Sequence, residues 1–302
     1  MERNDTSMRI IATALLLLLV QGCAFKQLHE DLTEFYANPQ GVASRVVVDG
    51  PLLESTLDAP AFTTSNGRQG LWQPLSFVKE KRSGIYLLEP YDAHKVPVLF
   101  IHGAGGTPQD WRFFISRLDR SRYQPWVYYY PTGLPIDLSA AWLQNFVASL
   151  HREYGFSQLA IAAHSMGGLV AQRFLALEAE GGKRHYATLL ATFSTPFGGV
   201  PVARLGLTLG AYAVPSWRDL TPDSAFLRAL KSAVLPKSVK HHVFFAYQQE
   251  GGEYDSDGVI SVASQLAANA AADSHGFRTD HSDILESAEV FRGFAAVLAS
   301  FR

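Results

Sequence analysis

Ala163-His164-Ser165-Met166-Gly167-Gly168 is the stretch on which the reading of this chain turns. It follows a short apolar run at 158–163 and precedes a helical pattern from Met166 to Glu180. A tight turn that carries a strand directly into a helix strains its central residue and needs small side chains two positions before and two after it. Ala163 and Gly167 meet that need, with Ala163 standing where glycine is commoner. Such an elbow lifts the Ser165 hydroxyl above the sheet, at the start of a helix whose dipole favours developing negative charge. The competing interpretation is a serine cap in a glycine-rich turn. The full pattern in a strand-to-helix setting favours the elbow.

Outward from this point the periodicities alternate. Val96 to Ile101 is a continuous apolar run, as a strand buried on both faces requires. Gly84 to Glu89, Gln124 to Tyr130, Ala187 to Phe193 and His241 to Tyr247 also read as strands. Trp111 to Leu118, Leu138 to Tyr154 and Ser282 to Phe301 have helical spacing. This alternation predicts an α/β fold: a mostly parallel sheet with helices on both faces and chemistry at the carboxyl ends of the strands. Residues 195–240 interrupt it and exceed an ordinary connection. They are read as a small cap insertion, with Leu205, Leu207, Leu209, Tyr212 and Trp217 available to line an acyl slot; a structural excursion packed on the core is the equal alternative.

A serine hydroxyl becomes a competent nucleophile only when a base takes its proton, and that base, a histidine, is oriented by an acid. On an elbow of this kind the acid and then the histidine follow the serine along the chain. His185, His241 and His242 lie at the amino ends of strands, the wrong edge of the sheet. His281, in Thr279-Asp280-His281-Ser282-Asp283-Ile284, lies just past a last strand and is the preferred base, with His275 in reserve. After the strand ending at Tyr247 the chain offers Glu250, Glu253, Asp255 and Asp257. Asp257, opening Asp257-Gly258-Val259-Ile260, is preferred and Asp255 is the runner-up. The oxyanion needs preorganised donors. The amide of Met166 is one, and that of Ala104, in His102-Gly103-Ala104-Gly105-Gly106, is the other. The glycine-rich loop lacks the Gly-Lys-Ser/Thr ending of a phosphate cradle. His102 is read as orienting this loop, and His164 as packing beside the elbow.

The N-terminus reads as a targeting segment. Ile10 to Val20 is almost wholly apolar, with leucine throughout 15–19, yet far short of the roughly 20 residues that cross a bilayer. It matches the core of a secretory signal, and a start at Met8 gives the positive leading charge better than one at Met1. The segment ends in Val20-Gln21-Gly22-Cys23, which resembles a bacterial lipoprotein cleavage box, with Gln21 departing from the usual small residue. Cys23 is the only cysteine, so no disulfide is possible and lipidation leaves no stray thiol. The expectation is a signal over 1–22, a lipid anchor on Cys23, a stalk and lead-in over 23–70 and the catalytic domain over 71–302. An ordinary signal with an incidental cysteine is the alternative. Ala24 after the cysteine suggests outer-membrane sorting, facing the periplasm.

Charge is nearly balanced, with 26 Lys+Arg against 28 Asp+Glu, and no basic run interleaved with aromatics points to nucleic acid. The motifs together resemble the α/β-hydrolase superfamily, and within it bacterial triacylglycerol lipases and the lipase-like group related to the GPI inositol-deacylases. The resemblance runs from about Val96 to the C-terminus. It is carried by Ile101-His102-Gly103, the elbow, Ser194-Thr195-Pro196-Phe197-Gly198-Gly199, Asp219-Leu220-Thr221-Pro222-Asp223-Ser224, and the segments around Asp257 and His281. It implies the α/β-hydrolase fold and hydrolysis of carboxylic esters of lipid or acyl type. Ser165, Asp257 and His281 would form the triad, Ala104 and Met166 the oxyanion hole, and the Ser-Thr-Pro segment a pocket wall. The calcium ligands and cysteines of some secreted lipases find no match, so no metal or other cofactor is expected. An acyltransferase or thioesterase on the same residues, or a non-enzymatic lipoprotein retaining the fold, are the alternative readings.

Overall fold

The computed structural model of the chain describes Thr33 and residues 52–80, 83–181, 186–201, 203, 214–249, 255–268 and 272–300. The signal segment, Cys23, Leu205, Leu207, Leu209, Tyr212, Glu250 and Glu253 lie outside the described residues. Eight strands form one sheet: β1 (Leu52–Leu53), β2 (Gly84–Leu87), β3 (Val96–Ile101), β4 (Tyr123–Tyr129), β5 (Leu159–His164), β6 (Ala187–Phe193), β7 (Lys240–Tyr247) and β8 (Asp273–Arg278). Their order is β1-β2-β4-β3-β5-β6-β7-β8. Among these described strands only the β2–β4 pairing is antiparallel.

The helices are α1 (Thr64–Trp72), α2 (Pro74–Glu80), α3 (Arg112–Arg117), α4 (Ile136–Tyr154), α5 (Met166–Glu180), α6 (Pro215–Asp219), α7 (Ala225–Ser232), α8 (Val262–Gln265) and α9 (Ala288–Ala299). They cover both faces, and β3 shows why its sequence is apolar throughout. Leu99 and Ile101 point into the layer built with α4 and α5. Val98 and Phe100 point into the layer built with α3 and α9, because successive strand side chains face opposite sides. Registers Ile101↔Ala163, His164↔Phe193 and Phe193↔Phe244 bring the carboxyl ends of β3, β5, β6 and β7 level. Functional loops therefore emerge along one edge.

Two sequence expectations change, and a third, left open between two readings, is described in part. The division at residue 70/71 falls inside α1, and residues 52–70 belong to the packed domain. Phe62 is fully buried, its ring edge-on to Tyr86 at 5.0 Å and to Tyr129 at 5.3 Å. The final helix is not continuous from Ser282. A 3-10 turn at Asp283–Leu285 comes first, and α9 begins after Ser287, whose hydroxyl accepts from the Val290 amide. That cap ends the irregular segment which presents His281. Finally, the described part of 195–240 packs beside the sheet: Leu220, Phe226, Leu227 and Leu230 join the α4–α5 layer. Trp217 lies edge-on to Trp72 at 5.3 Å, and Asp219 Oδ2 accepts from the Ile136 amide at 2.8 Å, capping α4. Among the described residues no helix is long and apolar enough to cross a membrane.

Candidate active site

Ser165 sits between β5 and α5 with φ 51° and ψ −128°, a conformation that costs a non-glycine residue about 1–3 kcal/mol and persists only where its surroundings impose it. Its amide donates to the Phe193 carbonyl at 2.8 Å, and its carbonyl accepts from Gly168 N at 3.0 Å. A side chain on Gly167 would stand 2.5 Å from the His102 carbonyl oxygen and 2.8 Å from that of Ile101. The end of β3 therefore closes on the turn only because residue 167 lacks a Cβ. Gly168 is similarly covered by Thr195.

His281 meets this serine from the segment after β8. Its Nε2 lies 3.1 Å from Ser165 Oγ, and its Nδ1 lies 2.7 Å from Asp257 Oδ2. A carboxylate only accepts, so Nδ1–H donates to Asp257 and Nε2 is left as the acceptor facing Ser165 Oγ. Asp257 is almost wholly buried. Burial alone would raise its carboxyl, but hydrogen bonding and charge attraction from His281, with donation from the Ile260 and Val259 amides, hold it below the usual carboxylate range. Those amides reach Oδ1 at 2.7 and 2.9 Å. The turn Asp257-Gly258-Val259-Ile260 thus folds back on its own carboxylate, with Gly258 at φ 91°.

The reserve candidates stand elsewhere. His275 Nε2 pairs with His242 Nδ1 at 3.1 Å near the amino ends of β7 and β8. The Asp255 carboxylate accepts from the Gln249 amide at 3.2 Å and shapes a turn. His102 is buried and stacks on Tyr130 at 4.6 Å. Its carbonyl accepts from the Tyr130 hydroxyl at 2.9 Å. Burial pushes its imidazole down to about 4, against a smaller upward effect of the Gly103 carbonyl.

An open pocket of about 310 Å³ lies in front of Ser165, walled by Gly103, Ala104, Gly105 and Gly106 on one side and His281, Ser282, Leu285 and Glu286 on the other. Ala104 is exposed at this wall, and Met166 opens α5 directly behind the serine. Among the described residues no acceptor engages either amide. The loop is held from outside the motif. Gly105 N donates to Thr132 Oγ1 at 2.9 Å, and the Asp110 carboxylate accepts from Thr107 N at 3.2 Å. Gly67 in α1 lies so close that a Cβ there would be 2.6 Å from the Gly105 carbonyl oxygen. The sequence reading missed these supports. Thr107-Pro108-Gln109-Asp110 did carry a capping signature, whereas Thr132 and Gly67 carry no local signal.

The Ser194–Gly199 segment packs beside the elbow: Thr195 covers Gly168, and Gly198 N donates to the Ser264 carbonyl at 3.0 Å. Among the described residues, no cluster of three His, Cys, Asp or Glu side chains converges as a metal site would.

This elbow, on this sheet and with this order of partners, is the signature of a superfamily, and the comparisons agree. Residues 98–291 match the model of the alpha/beta hydrolase family, and the chain belongs to that family. The fold is similar to that of Bacillus licheniformis lipase BlEst2 in its mature form, with a TM-score of 0.57, 17% identity, and coverage of 71% of this chain and 97% of the lipase. It is also similar to a gene product of Listeria innocua, with a TM-score of 0.54, 16% identity, and coverage of 69% and 95%. No functionally curated protein matches the sequence.

Proposed function

We propose that this protein is a serine hydrolase of carboxylic esters, of lipid or acyl type, working through an acyl-enzyme. The observation that carries the reading is the hydrogen-bonded chain Asp257–His281–Ser165 opening on a pocket lined by Ala104. His281 Nε2 removes the Ser165 proton as Oγ attacks the ester carbonyl carbon. The oxyanion forms beside the Ala104 and Met166 amides, at the positive end of α5. His281 then protonates the leaving alcohol, and water repeats the sequence on the acyl-enzyme. Asp257 holds the tautomer of His281 and stabilises its cation without taking the proton. The lipase character of one structural neighbour supports an acyl substrate. The Val20-Gln21-Gly22-Cys23 box and the lone cysteine support a lipid anchor that would hold the enzyme on a bacterial envelope membrane.

The test is hydrolysis of p-nitrophenyl esters from short to long acyl chain by mature protein with Cys23 replaced, beside Ser165→Ala. The expected outcome is turnover that falls at least about 10⁴-fold in the variant, with Ser165 labelled by a fluorophosphonate in the wild type alone. Absence of both turnover and labelling in the wild type would remove the hydrolase reading. Turnover unaffected by Ser165→Ala would remove the mechanism.

A further inference from the structure

His281 belongs to no strand or helix; it stands in the short turn between β8 and the 3-10 turn at Asp283–Leu285. Its position rests on individual hydrogen bonds, and both of its backbone polar groups are tied to the site. Its N–H donates to the Asp257 carbonyl at 2.9 Å. Its carbonyl lies 2.9 Å from Nε2 of His164, the residue bonded to Ser165. Behind the side-chain chain Asp257–His281–Ser165 therefore runs a second circuit, made of backbone and one imidazole, that joins the same three residues.

The chemistry of that second circuit has one solution. A carbonyl oxygen only accepts, so Nε2 of His164 carries the proton and Nδ1 is left bare. Nδ1 faces Gly103, where an added Cβ would stand 3.2 Å away. The residue is buried, its ring centroid 4.8 Å from that of His281. Burial first, and then the neighbouring His281, push the His164 imidazole down to about 3. The neutral, Nε2-protonated form thus persists across the working range of an esterase.

We infer that His164 is a positioning residue for the proposed general base: its Nε2–H holds the His281 carbonyl and thereby keeps His281 Nε2 within reach of Ser165 Oγ. The inference rests on the serine-hydrolase reading above. A side chain that merely filled space beside the elbow would be replaced without loss by another ring of similar size. A side chain that positions through a hydrogen bond is replaced only by another donor.

His164→Phe and His164→Gln separate the two, since phenylalanine keeps the ring and glutamine can bring an amide donor to the Nε2 position. In His164→Phe we expect kcat to fall about 10- to 100-fold, the scale on which displaced catalytic groups act, with KM within about twofold. Inactivation by a fluorophosphonate should slow by a similar factor. His164→Gln should recover most of that loss. Wild-type kcat in His164→Phe, or a glutamine variant no better than phenylalanine, would overturn the inference. A readout independent of turnover is the nitrogen-15 spectrum of labelled histidine in the wild-type protein. His164 should appear as the Nε2–H tautomer and should not titrate between pH 5 and 8. An Nδ1–H tautomer would overturn the inference even if both variants failed to fold. A wild type inert to esters and fluorophosphonate would overturn the functional reading instead, leaving the tautomer to report on the bond alone.

Discussion

Ser165 and His281 meet at 3.1 Å, yet the chain holds them by opposite means. Ser165 is gripped by regular structure on either side along the chain and from behind: β5 enters, α5 leaves, and the carbonyls of Ile101 and His102, at and just past the end of β3, lie against Gly167. His281 and Asp257 stand on irregular segments, where individual hydrogen bonds add to the packing of Ile260, Ile284 and Leu285. Asp257 is held by the Val259 and Ile260 amides, and His281 by the Asp257 carbonyl and His164. The difference separates two kinds of vulnerability. At the elbow, added volume should do the damage and should appear as lost stability. In the loops, removal of a donor or acceptor should do the damage and should appear as lost rate with the fold intact.

The largest expected effect on this contrast is at the acid. Asp257→Asn keeps the shape but takes away the anion that fixes the His281 tautomer. By analogy with other serine hydrolases kcat should fall about 10⁴-fold with little change in KM. Asp255→Asn touches, among the described residues, the turn at Gln249 and should stay within about threefold of wild type, on the scale of a peripheral hydrogen bond. Steady-state kinetics on one ester series checks both, and a larger loss for Asp255→Asn would reverse the assignment of the acid. Gly167→Ala probes the other region. Its Cβ would press on two backbone carbonyls, neither of which can swing aside, so unfolding free energy should drop by an amount at the upper end of about 1–3 kcal/mol. Urea denaturation measures it, and an unchanged midpoint would show that the elbow has more room than its contacts imply.

The same contrast explains what was legible in the sequence. The strands β3 and β6 and helix α5 carry continuous or periodic apolar patterns, and their observed limits match the sequence reading at both ends. The order of partners after the elbow narrows the candidates to Asp257 or Asp255 and His281 or His275, and it is Asp257 and His281 that form the hydrogen-bonded chain to Ser165. Contacts between distant segments left no such trace. Nothing local marks Thr132 as the acceptor for Gly105, Gly67 as the buttress of the glycine-rich loop at 103–106, or His164 as the partner of a carbonyl more than a hundred residues away. Helix α1 lies in the stretch read as a lead-in, and its two glycines, Gly67 and Gly70, each allow close approach of another segment. Residues 195–240 read equally as a small cap or as an excursion packed on the core, because length and apolar content do not say which layer a segment joins.

The smallest expected effect distinguishes the packed sheet from its loops by pH. His241 opens β7, buried with its Nε2 3.0 Å from Thr192 Oγ1. Burial, aided by the neighbouring His242, pushes it down to about 4. An unfolded histidine takes up its proton near pH 6.5, whereas folded His241 does so only near 4. Between those values the unfolded state binds more protons, so the contribution of His241 is fully present above about pH 6.5 and is lost as pH falls toward 4. His102 and His164 act in the same direction. Asp219, which burial pushes up to about 6, acts in the opposite one, because its folded form takes up a proton before its unfolded form does. A single variant removes that ambiguity. In His241→Gln the acid-side loss of stability between pH 7 and 5 should be smaller than in the wild type by about 1–2 kcal/mol, read from urea midpoints at each pH. Activity at pH 7 should remain close to that of the wild type, since His241 lies at the amino end of β7, away from Ser165. Parallel pH profiles for the two proteins would mean that folded His241 is protonated as readily as a solvated histidine, and that the amino end of β7 admits water as freely as the catalytic loops do.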